Sequence, residues 1–245
     1  MIDRLKPFTL TAWTGVPQHL ADSAWLQHTP FAKWVVMTQR PRRLVELGTH
    51  TGVSFLSFCE GQQAAGYSGA DFVAVDTWRG DEHSGYYGED VFDHFSAVLY
   101  TEYLHSARMI RSSFDDARPL FADNSIQLLH IDGHHSYESV RHDYNTWKSA
   151  LAPDAIVLFH DIAVRERGFG VWKLWAELTC ERPYFEFHHG YGLGLLGPGS
   201  IVPKPLRYLL ELSRTEQNII RLLFESMGMA VEKEFLIQTL KQRNM

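Results

Sequence analysis

Apolar and polar positions along the chain fall into blocks that switch between helical and strand spacing. Across residues 20–38, Leu20, Ala24, Trp25, Phe31, Trp34, Val35 and Met37 recur at roughly helical intervals, and Pro30 is expected to break or kink that run. Residues 44–48 then read as a short apolar strand ending in Gly48, and residues 51–65 as a helix. A second strand, residues 72–76, closes on a carboxylate, Asp76. Residues 77–88 are rich in Gly, Asp, Glu and Tyr and read as a long loop. A helix over 91–105 and a strand over 107–110 follow. Residues 126–132 form a clear strand ending in Asp132. Residues 136–151 place Tyr137, Val140, Tyr144 and Trp147 on one helical face. Pro153-Asp154 reads as a turn before a strand over 155–159, followed by His160-Asp161.

This alternation of strand and helix from about 44 to 180 predicts an α/β fold: a parallel sheet with helices on both faces. Residues 184–188 and 192–196 read as an antiparallel hairpin. Residues 206–243 read as helix with a break near Gly228, either an extension of the fold or a dimerisation element. The boundaries drawn are an N-terminal helical segment (1–40), a central domain (41–200) and a C-terminal helical extension (201–245).

Composition narrows the field without deciding it. The chain has 245 residues, of which 45% are hydrophobic and 21% charged, which fits a globular protein and excludes a disordered one. The longest apolar runs are too short to span a bilayer. The first ten residues carry Asp3, Arg4 and Lys6 and do not resemble a secretion signal, so a cytoplasmic location is expected. The net charge of −6 and the lack of a basic run argue against a nucleic-acid partner. The cluster at Arg40, Arg42 and Arg43 reads as a solvated loop. Cys59 and Cys180 read as buried free thiols. The outlying number is 13 histidines, clustered at His130, His134, His135, His142, His160, His188 and His189. Histidine offers a metal ligand or a proton acceptor near neutral pH.

In an open parallel sheet, ligands bind beyond the carboxyl ends of the strands. Five polar groups fall there: Glu46 to Thr49, Asp76 to Trp78, Ser112 to Phe114, Asp132 to His135, and His160-Asp161. The spacing Gly48-x-x-x-Gly52 is neither the dinucleotide fingerprint nor the P-loop, which argues against NAD and ATP. Asp76 can accept hydrogen bonds from both hydroxyls of a ribose, or cap its own loop. Trp78 or Phe114 can pack on an adenine, or sit in the core, and Ser113 can meet the edge of the base.

At these residues the sequence resembles the class I S-adenosylmethionine-dependent methyltransferases. The run Glu46-Leu47-Gly48-Thr49-His50-Thr51-Gly52-Val53-Ser54 is similar to their first motif in its catechol-type O-methyltransferase version. Residues 129–143, the Phe159-His160-Asp161 sequence, residues 170–175 and residues 189–194 resemble the methyltransferase 24 family. The resemblance covers about residues 40–197. It implies a Rossmann-like seven-strand sheet, mostly parallel, with the last strand antiparallel. It also implies S-adenosylmethionine as cofactor, with Gly48 under its methionine part, Ser54 near its carboxylate and Asp76 on its ribose. Glu46, Thr49, Gly52, Thr77, Trp78, Ser113 and Phe114 complete the expected cofactor set.

Catechol-type enzymes hold a divalent cation between an acid after the fourth strand and an acid–amide pair after the fifth. Asp132 matches the first position; His160-Asp161 stands where the pair is expected and departs from it. Asp132 and Asp161 suit Mg²⁺, whereas a His160 ligand shifts preference toward Mn²⁺, Zn²⁺ or Fe²⁺. His135 lies where those enzymes carry a lysine base, and a neutral imidazole there can take the hydroxyl proton as the methyl group arrives. His134 is the alternative base. The loop at 78–89, with Arg79, His83 and Tyr86, reads as a lid over the acceptor. The expected activity is O-methylation of a hydroxyl on a small-molecule or sugar-containing acceptor, by a chain that can form a homo-oligomer. Two other readings stand beside it: a metal-dependent hydrolase or hydroxylase using Asp132, His135, His160 and Asp161, and a non-catalytic cofactor-binding module.

Overall fold

The computed structural model describes Phe8, residues 15–82 and residues 85–243. Among these residues, nine strands form two sheets. The main sheet contains β1 (Arg43–Leu47), β2 (Asp71–Asp76), β5 (Ala107–Arg111), β6 (Ile126–Ile131), β7 (Leu151–His160), β8 (Tyr184–Phe187) and β9 (Leu193–Leu196). Their spatial order is β5-β2-β1-β6-β7-β9-β8. All neighbouring pairs are parallel except those of β9, which runs antiparallel to both β7 and β8. The expected seven-strand, mostly parallel sheet is therefore present. The remaining strands, β3 (Gly80–Asp81) and β4 (Gly85–Tyr86), make a small antiparallel ribbon inside the segment expected to be a loop.

Strand side chains alternate between the two faces and so divide the interior in two. Leu44, Phe72, Ala74, Leu128 and Leu158 point into one apolar cluster; Val45, Val73, Val75, Leu129 and Phe159 point into the other. Helices α1 (Thr29–Gln39), α2 (Val53–Ala65), α3 (Glu89–Glu102), α7 (Lys204–Leu210) and α8 (Arg214–Arg243) contribute to the first cluster. The second lies under α4 (Phe114–Ala117), α5 (Tyr137–Trp147) and α6 (Val171–Thr179). Phe8, Trp34, Phe58, Leu206 and Phe224 thus share one core, and the three stretches drawn from the sequence are packed together rather than separated. Among the described residues, no helix is long and apolar enough to cross a membrane.

Four local expectations are corrected. Pro30 does not kink a helix: it opens α1, where its missing N–H would have had no partner, after a short 3-10 turn at Leu26–His28. Pro153 does not end an element either. It lies in β7, where the register jumps from Ile126↔Leu151 to Leu128↔Ile156, an irregularity that tolerates proline. Gly228 does not break the last helix, which runs unbroken for 30 residues. The glycine is there because α8 crosses the backbone of Gln27 so closely that a Cβ would overlap its carbonyl oxygen. Finally, Cys59 is buried but Cys180 is exposed.

Candidate functional site

The site forms where β1, β2, β6 and β7 end. Each strand hands its last backbone groups to the next loop: Gly48 N–H donates to Val75 O at 3.0 Å, and Asp132 N–H to Leu47 O at 2.9 Å. Gly48 has φ +90, and a Cβ on it would overlap the Asp132 carbonyl. A side chain here would therefore push β1 and β6 apart before it met any ligand. Asp76 ties the loops together. Its Oδ2 accepts from Thr49 N–H at 2.8 Å and His50 N–H at 2.9 Å, and its Oδ1 from Trp78 N–H at 2.7 Å. Two carboxylate oxygens accept about four bonds, so one acceptor direction remains for a ligand hydroxyl.

Two clefts open on this edge and share Gly48, His50, Asp132 and His135. The smaller, about 280 Å³, lies between Asp76-Thr77, Ser113-Phe114 and Gly133-His134, with Tyr87 and the β3 ribbon on its rim. The larger, about 600 Å³, is floored by residues 48–51, Val53, Ser54, Asp132, His135, His160 and Asp161. Its walls come from Asp22 to Gln27, Arg167, Phe169, Tyr191 and, on α8, Glu232, Phe235 and Leu236.

Seven of the ten expected cofactor residues line these clefts; Glu46, Gly52 and Trp78 do not, Gly52 lying against the Phe95 ring, and Ser113 lines the smaller cleft while capping a helix. Trp78 is 1% exposed, stacked on Phe95 with centroids 5.4 Å apart, and its indole N–H donates to His50 O. The core reading holds for Trp78, and its ring is not available to an adenine. Glu46 is fully buried, with Oε2 2.7 Å from His130 Nδ1. It braces the loop from behind rather than meeting a ligand, and burial, partly offset by His130, raises its pKa. Ser113 caps α4, accepting from Asp116 N–H at 3.1 Å and donating to the Asp116 carboxylate at 2.7 Å. The expected lid borders the smaller cleft instead of the larger, and Tyr86 points to solvent at 81% exposure. His83 lies outside the described residues.

Asp132, His135 and Asp161 present ligand atoms within 4.8 Å of one another, a grouping able to hold a metal ion. His135 Nε2 is 2.9 Å from Asp161 Oδ2 and 3.7 Å from Asp132 Oδ1. His160 Nδ1 approaches the same two oxygens, at 3.4 and 3.3 Å. The ring of His135 stacks on Phe169, 4.4 Å away and 10° from parallel. Burial opposes charge on both histidines, but the two carboxylates outweigh it. The pKa of His135 is pushed up to about 9 and that of His160 well above its ordinary value. Burial likewise opposes charge on Asp132 and Asp161, yet the histidines hold the first well below the carboxylate range and the second at about 2. With a carboxylate on either side, His135 is held toward its protonated form wherever no cation takes the proton's place. His134 faces the other cleft, 3.4 Å from Glu82.

Sequence reasoning missed His50, which borders both clefts and whose pKa burial lowers. It missed Phe169 and the walls formed by residues 22–27 and 232–236 as well. Only the turn glycines Gly190 and Gly192 hinted that β8–β9 closes one side.

The family model described as a methyltransferase domain, methyltransferase 24, matches residues 45–162. Over this segment, a little under half of its length, the chain is similar to the methyltransferase 24 family. That methyltransferase domain holds the glycine loop, Asp76, Asp132 and Asp161, whereas both outer walls of the larger cleft lie beyond it. A relative from Sinorhizobium fredii (strain NBRC 101917 / NGR234), called uncharacterized protein y4gI, is 42% identical over 221 residues. That alignment takes in 90% of this chain and 24% of the relative, so the chain spans about a quarter of the relative's length. Solved structures share the fold at low identity. The O-methyltransferase TomG from Streptomyces achromogenes, in complex with SAM, has a TM-score of 0.53 at 11% identity, covering 74% of this chain and 82% of its own. The O-methyltransferase from Bacillus cereus, in complex with SAH, has a TM-score of 0.51 at 12% identity, covering 80% and 90%. A methyltransferase from Geobacter sulfurreducens has a TM-score of 0.51 at 16% identity, covering 72% and 80%.

Proposed function

We propose that this chain transfers a methyl group from S-adenosylmethionine to a hydroxyl of a small-molecule or sugar-containing acceptor, with a divalent cation at the Asp132 cluster. The observation that carries the reading is the meeting of two clefts over Gly48 and Asp132, at the strand edge where such sheets bind ligands. The smaller cleft suits a nucleoside: Asp76 keeps an acceptor direction for ribose, and Phe114 offers an aromatic wall. The floor from Gly48 to Ser54 leads into the larger cleft beside the N-terminus of α2, whose unpaired N–H groups favour a carboxylate.

S-adenosylmethionine supplies a methyl group already activated on a sulfonium. What remains for the protein is to align the acceptor oxygen with it and to exclude water. The larger cleft does this with Trp25 and Phe235 as apolar walls and with Asp22, Gln27 and Glu232 as polar ones, a mixture suited to a hydroxylated acceptor. The donor set of Asp132, Asp161 and two imidazoles fits a divalent cation that accepts nitrogen, such as Mn²⁺ or Zn²⁺, better than Mg²⁺. When bound, such a cation lowers the pKa of a coordinated hydroxyl and fixes its direction. The test is calorimetric titration of the folded chain with S-adenosylhomocysteine, alone and after addition of Mn²⁺. Saturable binding is expected, with transfer of labelled methyl to a hydroxylated acceptor. A folded chain that gives neither heat nor thermal shift overturns the proposal.

A further inference from the structure

We infer that His28, which lies outside the methyltransferase domain, is a positioning residue for the cation site: through the Gly190 carbonyl it fixes which nitrogen of His160 faces Asp132 and Asp161. The inference rests on the cation-assisted reading above and adds to it a residue whose ring lies 5.5 Å from that of His160.

The Gly190 carbonyl accepts from two imidazoles, His28 Nε2 at 3.0 Å and His160 Nε2 at 3.1 Å. A carbonyl oxygen has no proton to give, so both Nε2 atoms carry one. The neutral His160 ring therefore has its lone pair on Nδ1, the atom 3.3 Å from Asp132 Oδ1 and 3.4 Å from Asp161 Oδ2. A lone pair facing two carboxylates at that distance is repelled unless positive charge sits between them. Either a proton on Nδ1 or a cation provides it, and the ring is already turned to ligate. The second ring nitrogen of a metal-bound histidine is commonly held in this way.

His28 makes the carbonyl a fixed point. Residues 190–192 all have positive φ, at 55, 66 and 89°; the turn is held by Gly192 N–H to His189 O and Ala163 N–H to Tyr191 O, each at 2.9 Å, and the Gly190 carbonyl meets the two imidazoles. His28 is fully buried at the start of α1, packed against Trp25 and Phe187. Its Nδ1 has no hydrogen-bond partner among the described residues, so its one polar contact in reach is the Gly190 carbonyl. Burial, with His160 and His189 nearby, pushes its pKa well down, and it adds a donor to the site without adding charge.

The test uses Co²⁺ as the probe, read by calorimetry and visible absorption, on the full chain. His28→Leu keeps an apolar side chain and removes the donor. It is expected to weaken Co²⁺ binding by about 10- to 100-fold, as loss of a ligand's supporting hydrogen bond does. His28→Gln, whose amide N–H can reach the same carbonyl, is expected to recover most of that loss. Binding of S-adenosylhomocysteine by both variants is expected to match the parent, which separates this inference from the methyltransferase reading. Unaltered Co²⁺ affinity in His28→Leu overturns the inference, as does a loss that Gln does not rescue. If the Leu variant does not fold, proton resonances of the unaltered Co²⁺-loaded chain decide. Two exchangeable, paramagnetically shifted imidazole N–H signals are expected, from His135 and His160, and a single one overturns the assignment. Failure of Co²⁺ to bind a chain that does bind S-adenosylhomocysteine overturns the inference while leaving the cofactor reading standing.

Discussion

The two clefts are built in opposite ways. The smaller draws its residues from consecutive strand ends, at 48–50, 76–77, 113–114 and 132–134, and each loop leans on its neighbour through backbone bonds to Asp76, Val75 and Leu47. The larger shares that floor but takes its walls from segments remote in sequence. Gln27 donates to Glu232 at 2.9 Å across 205 residues, and Gly228 lies against the Gln27 backbone. One cleft follows from the topology of the sheet; the other depends on how the two ends of the chain pack together. A domain that keeps its cofactor and changes its acceptor needs this division, because the walls can vary without disturbing the floor.

The sharpest way to break the comparison is to strike the shared floor on its catalytic side. Asp132→Ala removes a carboxylate from the cation cluster and leaves Asp76 and Phe114 in place. It is expected to lower kcat/KM at least about 100-fold, with S-adenosylhomocysteine affinity nearly unchanged. Initial rates and calorimetry on one preparation check this; a parallel loss of cofactor affinity would show that the clefts are not separable at Asp132. Asp76→Ala should do the reverse. Three backbone N–H groups lose their acceptor, the proposed ribose contact goes with it, and charged hydrogen bonds contribute about 1.5–3 kcal/mol each. The Kd for S-adenosylhomocysteine is expected to rise about 10- to 100-fold, while Co²⁺ binding at the cluster stays near that of the parent.

The same division governs what the sequence makes legible. Strand ends are easy to read: a run such as Phe72 to Val75 closing on Asp76 states both an element and the edge where it stops. The glycine loop and the gathering of Asp132, His135 and Asp161 at one edge follow from such stops, whereas the seven-strand form of the sheet comes from the family resemblance and its spatial order from the structure. Trp78 and Glu46 both adjoin the loop in sequence and then turn inward, one onto Phe95 and the other onto His130. Local spacing cannot tell an inward-turning residue from one facing the ligand. Pro30, Pro153 and Gly228 misled for a related reason. Each is a breaker by propensity, and tertiary context gave each another place: a first helical turn, an irregular strand and a helix crossing. The walls at 22–27 and 232–236 carried no signal because their meaning is a contact between chain ends.

A smaller change sharpens the comparison from the wall side. Gly228→Ala places a methyl group against the Gln27 carbonyl and forces α8 away from residues 22–28. Overpacking of this kind is expected to destabilise the fold by about 1–3 kcal/mol. Thermal unfolding should show it as a lower Tm, and acceptor KM should rise while cofactor Kd holds. An unchanged KM in a variant with a lowered Tm would mean that α8 supports the fold without shaping the cleft.

The smallest expected effect lies behind the nucleoside side. Asp143 on α5 is 7% exposed, and its carboxylate backs the Gly133 turn. Burial, partly offset by His142, pushes its pKa from 3.8 to about 7. Below about pH 4 the carboxyl is neutral in both folded and unfolded chains and does not bear on stability. As pH rises from 4 to 7, the unfolded chain releases this proton first, so folding loses free energy until the folded carboxyl ionises as well. Asp143→Asn removes the ionisation. It is expected to leave Tm unchanged near pH 4 and to raise stability by about 1–2 kcal/mol at pH 8, with acceptor KM unaffected at either pH. Thermal melts of both proteins across pH 4–8 check this. A Tm difference that stays constant with pH would mean that Asp143 ionises in the folded chain as it does in water, and that the helix behind Gly133 tolerates the charge.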